Sequence, residues 1–192
     1  MFARYIRPAG CLMIVMTLLL GVIYPAVITA VGSALFPFKA GGSLIYAGKT
    51  LIGSRLIGQS FSDPRYFWGR PSATSPQPYN GLASGGSNFG PLNPALLDAV
   101  KANVKRLHEA DPGNARPIPV ELVTASASGL DPDISLGAAD YQASRVAQLR
   151  HLPLSTIQSL IRQHETGPFI GIIGEPTVNV LELNLALDRL HE

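Results

Sequence analysis

The amino-acid sequence predicts a mixed α/β soluble domain, built of short strands and about four helices, behind a single N-terminal transmembrane helix. Three observations predict it. No charged residue occurs from Pro8 to Phe38. Downstream, runs with the helical repeat alternate with short apolar runs bounded by Gly, Pro, Asn and Asp, which mixes helices and strands in one domain. Finally, 192 residues hold one domain plus a span, but not two full domains with a span.

The apolar stretch comes first. About 20 apolar residues cross the hydrocarbon core of a bilayer, and Cys11 to Phe36 is longer than that and almost wholly apolar. Arg4 and Arg7 precede it, whereas Lys39 is the first charge to follow. That asymmetry predicts a cytoplasmic segment 1–10, a transmembrane helix 11–36 and an extracytoplasmic domain 37–192. The apolar core is longer than that of a cleaved signal peptide, the alternative for which Ile28-Thr29-Ala30 would be the cleavage site. Pro25 predicts a kink, with a freed carbonyl to be satisfied by a neighbour. Gly21, Ala26 and Gly32 permit close approach of another helix beside that kink, although small residues are common in spans generally.

Leu44–Tyr46 and Leu51–Ile57, separated by Ala47-Gly48-Lys49, read as a hairpin. From Asp63 to Asn93 the chain is dense in Pro, Gly, Ser and Asn, with Tyr66, Phe67, Trp68, Tyr79 and Phe89 interspersed. A loop this long is functional or ordered by a partner when it is not disordered, and its aromatics argue against disorder. Asn93-Pro94 opens a helix to about Glu109, with Leu96, Val100, Val104 and Leu107 on one face. Pro117–Thr124 reads as extended. Ser135 caps a second helix through Arg150, and Ser155 a third through about His164. Phe169–Ile173 reads as a strand, and Asn179 with Glu182 as the capping box of a final helix carrying Leu183, Leu187 and Leu190.

Composition narrows the chemistry. A net charge of +2 without a basic cluster interleaved with aromatics argues against nucleic acid as a partner. Cys11 is the only cysteine, so neither an intramolecular disulfide nor a cysteine-based metal site is available. His108, His151, His164 and His191 do not form a zinc spacing. Gly48-Lys49-Thr50 lacks the upstream glycine of a phosphate loop, Ser43 standing in its place, and fits a hairpin turn. Asp131-Pro132-Asp133 fits the approach to a helix N-terminus better than an acid–base pair. Ser84-Gly85-Gly86-Ser87-Asn88 is a turn whose amides can cradle an anion, although such turns are frequent in ordinary loops. No nucleophile elbow occurs, and no catalytic site of the chain's own is expected.

Several segments, in order and spacing, resemble the C subunit family of the bacterial potassium-transporting P-type ATPase, KdpC. They are Gly53 to Gln59, Tyr66-Phe67-Trp68-Gly69-Arg70-Pro71-Ser72, Ser84 to Pro94, Leu122 to Ser135, Tyr141-Gln142 with Arg145-Val146-Ala147, and Val178 to Asp188. The resemblance runs from the membrane helix to the C-terminus. Glu121 stands where Asp is common, and Asp133 where His or Asn is expected. The resemblance implies an accessory, non-catalytic, single-pass inner-membrane subunit of a high-affinity potassium uptake pump. Its partners would be a channel-like A subunit, an ATP-hydrolysing B subunit, a small F subunit and membrane lipid. ATP and potassium ion would be met through the complex, with no cofactor of the chain's own. The family is described as a catalytic chaperone that raises the ATP affinity of the B subunit, which makes Gln59, Ser84, Gly85, Gly86, Ser87 and Asn88 the nucleotide- or partner-contact candidates. An external domain conflicts with direct contact, because ATP is cytoplasmic. The alternative outside transport is a membrane-anchored periplasmic solute-binding or interaction module.

Overall fold

The computed structural model describes residues 3–168 and 170–190, and the chain forms two compact units, the first ending at Leu44 and the second beginning at Ile45. In the first, α1 (Ala3–Leu18) passes through a π-turn at Leu19–Ile23 into α2 (Tyr24–Leu35). The π-turn is how the helix absorbs Pro25. A proline ring collides with the carbonyl four residues earlier, and the wider turn, in which the Tyr24 N–H donates to the Leu19 carbonyl, relieves that conflict. Arg4–Leu35 is helical throughout, and long and apolar enough to cross a membrane. This helix fits a single-pass membrane protein. Short α3 (Pro37–Ala40) follows.

The expected hairpin follows, β1 (Leu44–Ala47) and β2 (Thr50–Ser54), turning at Gly48 with φ +59°. Thus Gly48-Lys49-Thr50 is a hairpin turn. Residues 55–93 carry no helix or strand. Next, α4 (Pro94–Ala110) starts at Asn93, whose Oδ1 accepts from the Ala95 N–H, and packs Val100, Val104 and Leu107 onto the core. β3 (Asp133–Ser135) runs directly into α5 (Leu136–Leu149), and α6 (Leu154–Gln163) leads into β4 (Glu165–Thr166). β5 (Thr177–Asn179) runs directly into α7 (Val180–Arg189). The three strands form an antiparallel sheet ordered β3-β5-β4, with Ile134 opposite Val178 and Thr166 opposite Thr177. Helices α5, α6 and α7 pack in sequence beside it. Phe67, Leu122, Ile134, Val146, Ile157, Ile161, Val178, Leu183 and Leu187 fill the core.

Several elements differ from expectation for local reasons. Pro117–Thr124 is not extended: Val120–Leu122 is a 3₁₀ turn that lowers Leu122 into the core while leaving Val120 exposed. Asp131–Asp133 approaches the N-terminus of α5 as expected, by way of three-residue β3, which sets Ile134 opposite Val178. Ser155 does not cap α6, which begins one residue earlier behind Pro153 with no side-chain cap. Of the expected strand at Phe169–Ile173, Phe169 lies outside the described residues, and Ile170, Gly171 and Ile172 form a turn. Positive φ at Ile170, Gly171 and Gly174 breaks the extended path, so β5 supplies the strand instead. His191 also lies outside the described residues.

The caps expected at Ser135 and Asn179 are present. Ser135 Oγ accepts from the Ala138 N–H, and Asn179 Oδ1 from the Glu182 N–H. Each cap is extended by a second residue. Glu121 Oε1 accepts from both the N–H and the hydroxyl of Ser135, at 3.0 and 2.5 Å. The carboxylate of Glu182 pairs with Arg55 at 3.3 Å, and Asn179 Nδ2 donates to the Arg55 carbonyl. The hairpin's exit is thereby tied to the start of α7.

Candidate functional site

The irregular stretch 55–93 contains every soluble-domain residue for which the sequence raised a contact role, and its first half is fixed by side chains from helices far along the chain. An irregular backbone buried in a core must find partners for its N–H and C=O groups. Phe67 and Trp68 are buried. Asn184 on α7 accepts from the Phe67 N–H at 2.9 Å and donates to the Phe67 carbonyl at 3.0 Å. Gln142 on α5 does the same for Trp68, at 2.9 and 3.1 Å. Two side-chain amides therefore replace the two neighbouring strands that the segment lacks.

Arg145, one turn beyond Gln142, completes this clamp. Its guanidinium donates to the carbonyls of Pro64 and Tyr66 and, at 2.8 Å, to Gln142 Oε1, and it lies 4.5 Å from the centroid of the Trp68 ring. Burial lowers its pKa to about 10, which leaves it charged at neutral pH. At the edge, the Tyr66 hydroxyl donates to Asp188 at 3.0 Å, Arg150 pairs with the same carboxylate at 2.7 Å, and Arg150 stacks over the Tyr66 ring. Arg70 pairs with Asp131 at 3.1 Å, and the Tyr79 hydroxyl donates to the Arg70 carbonyl at 2.5 Å. Burial pushes the Tyr79 phenol up to about 12.

Gln59 belongs to this scaffold. It is half-buried, and its Nε2 donates to the Ile52 carbonyl at 2.7 Å, strapping β2 to the chain that follows. Gly53 leaves the room: a Cβ there would collide with the Gln59 amide. The glycine-serine turn is placed differently. The Gly85 N–H and the Ser84 hydroxyl both donate to the Ser128 carbonyl, at 2.9 and 3.0 Å. A Cβ on Gly86 would lie 2.9 Å from the Ala127 carbonyl, and one on Gly129, at φ +67°, 2.7 Å from the Gly85 carbonyl. Glycine is thus required on both sides of this backbone contact. Ser84 and Asn88 are exposed, and Gly85, Gly86 and Ser87 are half-buried. No hydrogen bond joins Gln59 to the turn among the described residues.

In the N-terminal helix, Gly21, Pro25 and Ala26 are exposed and Gly32 is half-buried; a Cβ on either glycine would meet nothing within 4 Å in this chain. Among the described residues no group of three or more His, Cys, Asp or Glu side chains is gathered.

The family model described as KdpC, K+-transporting ATPase, c chain, matches residues 6–189. The chain belongs to the KdpC family. A potassium-transporting ATPase KdpC subunit from Variovorax paradoxus is 61% identical, over 95% of this chain and 95% of its own length. The subunit of the same name from Ralstonia nicotianae is 59% identical over 96% of this chain and 91% of its own length, and that from Methylococcus capsulatus 57% over 97% and 98%. The segments singled out in the sequence analysis fall inside the matched range. Each has a structural place: Gly53–Gln59 carries the strap on β2, the Tyr66–Ser72 run is the clamped segment, Gln142 and Arg145 are its clamp, Ser84–Pro94 carries the turn, Leu122–Ser135 supplies the backbone that the turn bonds and the cap of α5, and Val178–Asp188 supplies most of β5 and the second amide. Sequence reasoning assigned no role to Gln142, Arg145 or Asn184. A signal was present, since Gln142 and Arg145 lie one turn apart among Ala138, Ala139, Ala143, Val146 and Ala147, on a face whose apolar members predict burial.

Proposed function

We propose that this chain is the accessory, non-catalytic subunit of an ATP-driven potassium uptake pump, anchored in the cell inner membrane by Arg4–Leu35 with its folded domain on the periplasmic side. The carrying observation is the family match from the apolar helix to the last helix of the domain. Arg4 and Arg7 before the span, against Lys39 after it, support the orientation. The partners are a channel-like A subunit, an ATP-hydrolysing B subunit and a small F subunit. Gly21, Pro25, Ala26 and Gly32 form the helix surface that packs on a partner helix in the membrane, where small residues let backbones approach. The turn Ser84–Asn88 is the partner-contact edge of the domain.

Any effect on the ATP affinity of the B subunit is transmitted through the assembly. Gln59 holds β2 with the amide that nucleotide contact would require, and the Gly85 N–H is already bonded to Ser128. The test places a cysteine at Leu82, which is fully exposed, in a Cys11→Ser background. A membrane-impermeant maleimide applied to intact spheroplasts is expected to label it. Labelling only in inverted vesicles would overturn the orientation. In a strain lacking the subunit, the anchor alone is expected not to restore growth at limiting potassium; full restoration would overturn the role of the domain.

A further inference from the structure

Beside the clamped segment lies a cavity of about 170 Å³ lined by residues of the irregular stretch and of α4, among them Ser60, Trp68, Arg70, Tyr79, Asn103 and Arg106. Two of these are guanidiniums. Arg70 gives one arm to Asp131, but its Nε is buried and has no hydrogen-bond partner among the described residues. Arg106, exposed on α4, lies 4.9 Å from the centroid of the Trp68 ring and makes no ion pair with any described carboxylate. No acidic side chain lines the cavity. With Asp131 the one acid bonded to either arginine, the local balance is positive. A buried N–H is costly when nothing accepts from it, and an arginine without a counter-charge beside it makes the cavity attractive to an anion.

We infer that this cavity is a binding seat for a phosphate-class oxyanion, held between Arg70 and Arg106. Arginine's planar fork matches oxyanion geometry. The guanidiniums of Arg70 and Arg106 and the Ser60 hydroxyl line one cavity, more donors than a flat two-oxygen carboxylate would use, and suit a tetrahedral group. About 170 Å³ holds a single phosphate group, either free or as the headgroup of an anionic phospholipid. This is a separate surface from the glycine-serine turn, and it stands whether or not the turn meets a partner. Occupancy would couple α4 to the clamped segment, because the anion would bridge Arg106 on the helix to Arg70 in the loop.

Trp68 is the only tryptophan in the chain and touches one of the two arginines, so its fluorescence reports the seat directly. The full-length chain in neutral detergent micelles is titrated with inorganic phosphate, and in parallel with a short-chain phosphatidylglycerol, each against sodium chloride at matched ionic strength. Saturable change with phosphate, not reproduced by chloride, is expected; a response to phosphatidylglycerol that phosphate competes away would assign the headgroup as the source. Arg106→Gln is expected to weaken binding about tenfold or more, with Arg106→Lys intermediate. Ser60→Asp, at an exposed position on the rim, should weaken it while leaving the far-ultraviolet circular dichroism unchanged. No saturable change with either ligand, or an undiminished response in Arg106→Gln and Ser60→Asp, would overturn the inference.

Discussion

Residues Tyr66–Arg70 and Leu82–Leu92 belong to the same irregular stretch and neither forms a helix or strand, yet they are held in opposite ways. In the first, each backbone group of Phe67 and Trp68 has a partner supplied by Asn184 or Gln142, and Arg145 takes the flanking carbonyls. In the second, the backbone is fastened along one edge to the 126–129 run, while Leu82 is 100% and Leu92 93% exposed. The difference teaches that a long loop without secondary structure is ordered by whichever part of it the helices can reach with hydrogen-bonding side chains. What they do not reach remains as surface, and two bare leucines with half-exposed Phe89 make that surface a fit for a partner.

Breaking the clamp gives the largest expected effect. Arg145→Met removes the donor to the Pro64 and Tyr66 carbonyls and should cost about 3 kcal/mol, read as a lowered midpoint in urea unfolding of the purified chain. Asn184→Ala and Gln142→Ala each leave one buried N–H and one buried carbonyl unpaired, and each should cost about 2 kcal/mol. The double variant is expected to fall short of the sum, because loss of one amide frees the segment that the other holds. On the turn side, Gly86→Ala drives a Cβ against the Ala127 carbonyl and should cost about 1 kcal/mol in the isolated chain. Its effect on assembly should be larger than its effect on folding, and co-purification with the other subunits checks this.

The smallest effect sharpens the scaffold side. Burial raises the Asp133 carboxyl above its ordinary 3.8, although Asn179 donates to it at 2.9 Å. A raised folded value means that the folded state holds the proton more tightly. The stability contributed is therefore full below pH 3.8 and is lost as pH rises through the folded value. Asp133→Asn keeps the oxygen that accepts from Asn179 and removes the ionisation. It should raise Tm at pH 7 and leave stability unchanged at pH 3 relative to the parent chain.

What was legible in the sequence follows from how local each cause is. Asn93, Ser135 and Asn179 announce α4, α5 and α7 because a cap acts within three residues. The hairpin at Gly48 and the apolar helix are equally local. The clamp was not legible, since Gln142 and Trp68 lie 74 positions apart and Asn184 and Phe67 117 apart. Nor was the role of Gln59, whose partner is a backbone carbonyl indistinguishable from any other in sequence. Ile170, Ile172 and Ile173 misled in the opposite direction: an apolar run resembles a strand even where left-handed backbone at Gly171 and Gly174 forbids one.

Amide hydrogen exchange, followed in the isolated chain and again in the assembled pump, compares the two segments in one experiment. Phe67 and Trp68 should be protected in both states, whereas residues 86–92 should exchange fast alone and slow once the other subunits are present. Unprotected Phe67 and Trp68 in the isolated chain, or identical exchange of 86–92 in the two states, would contradict the account.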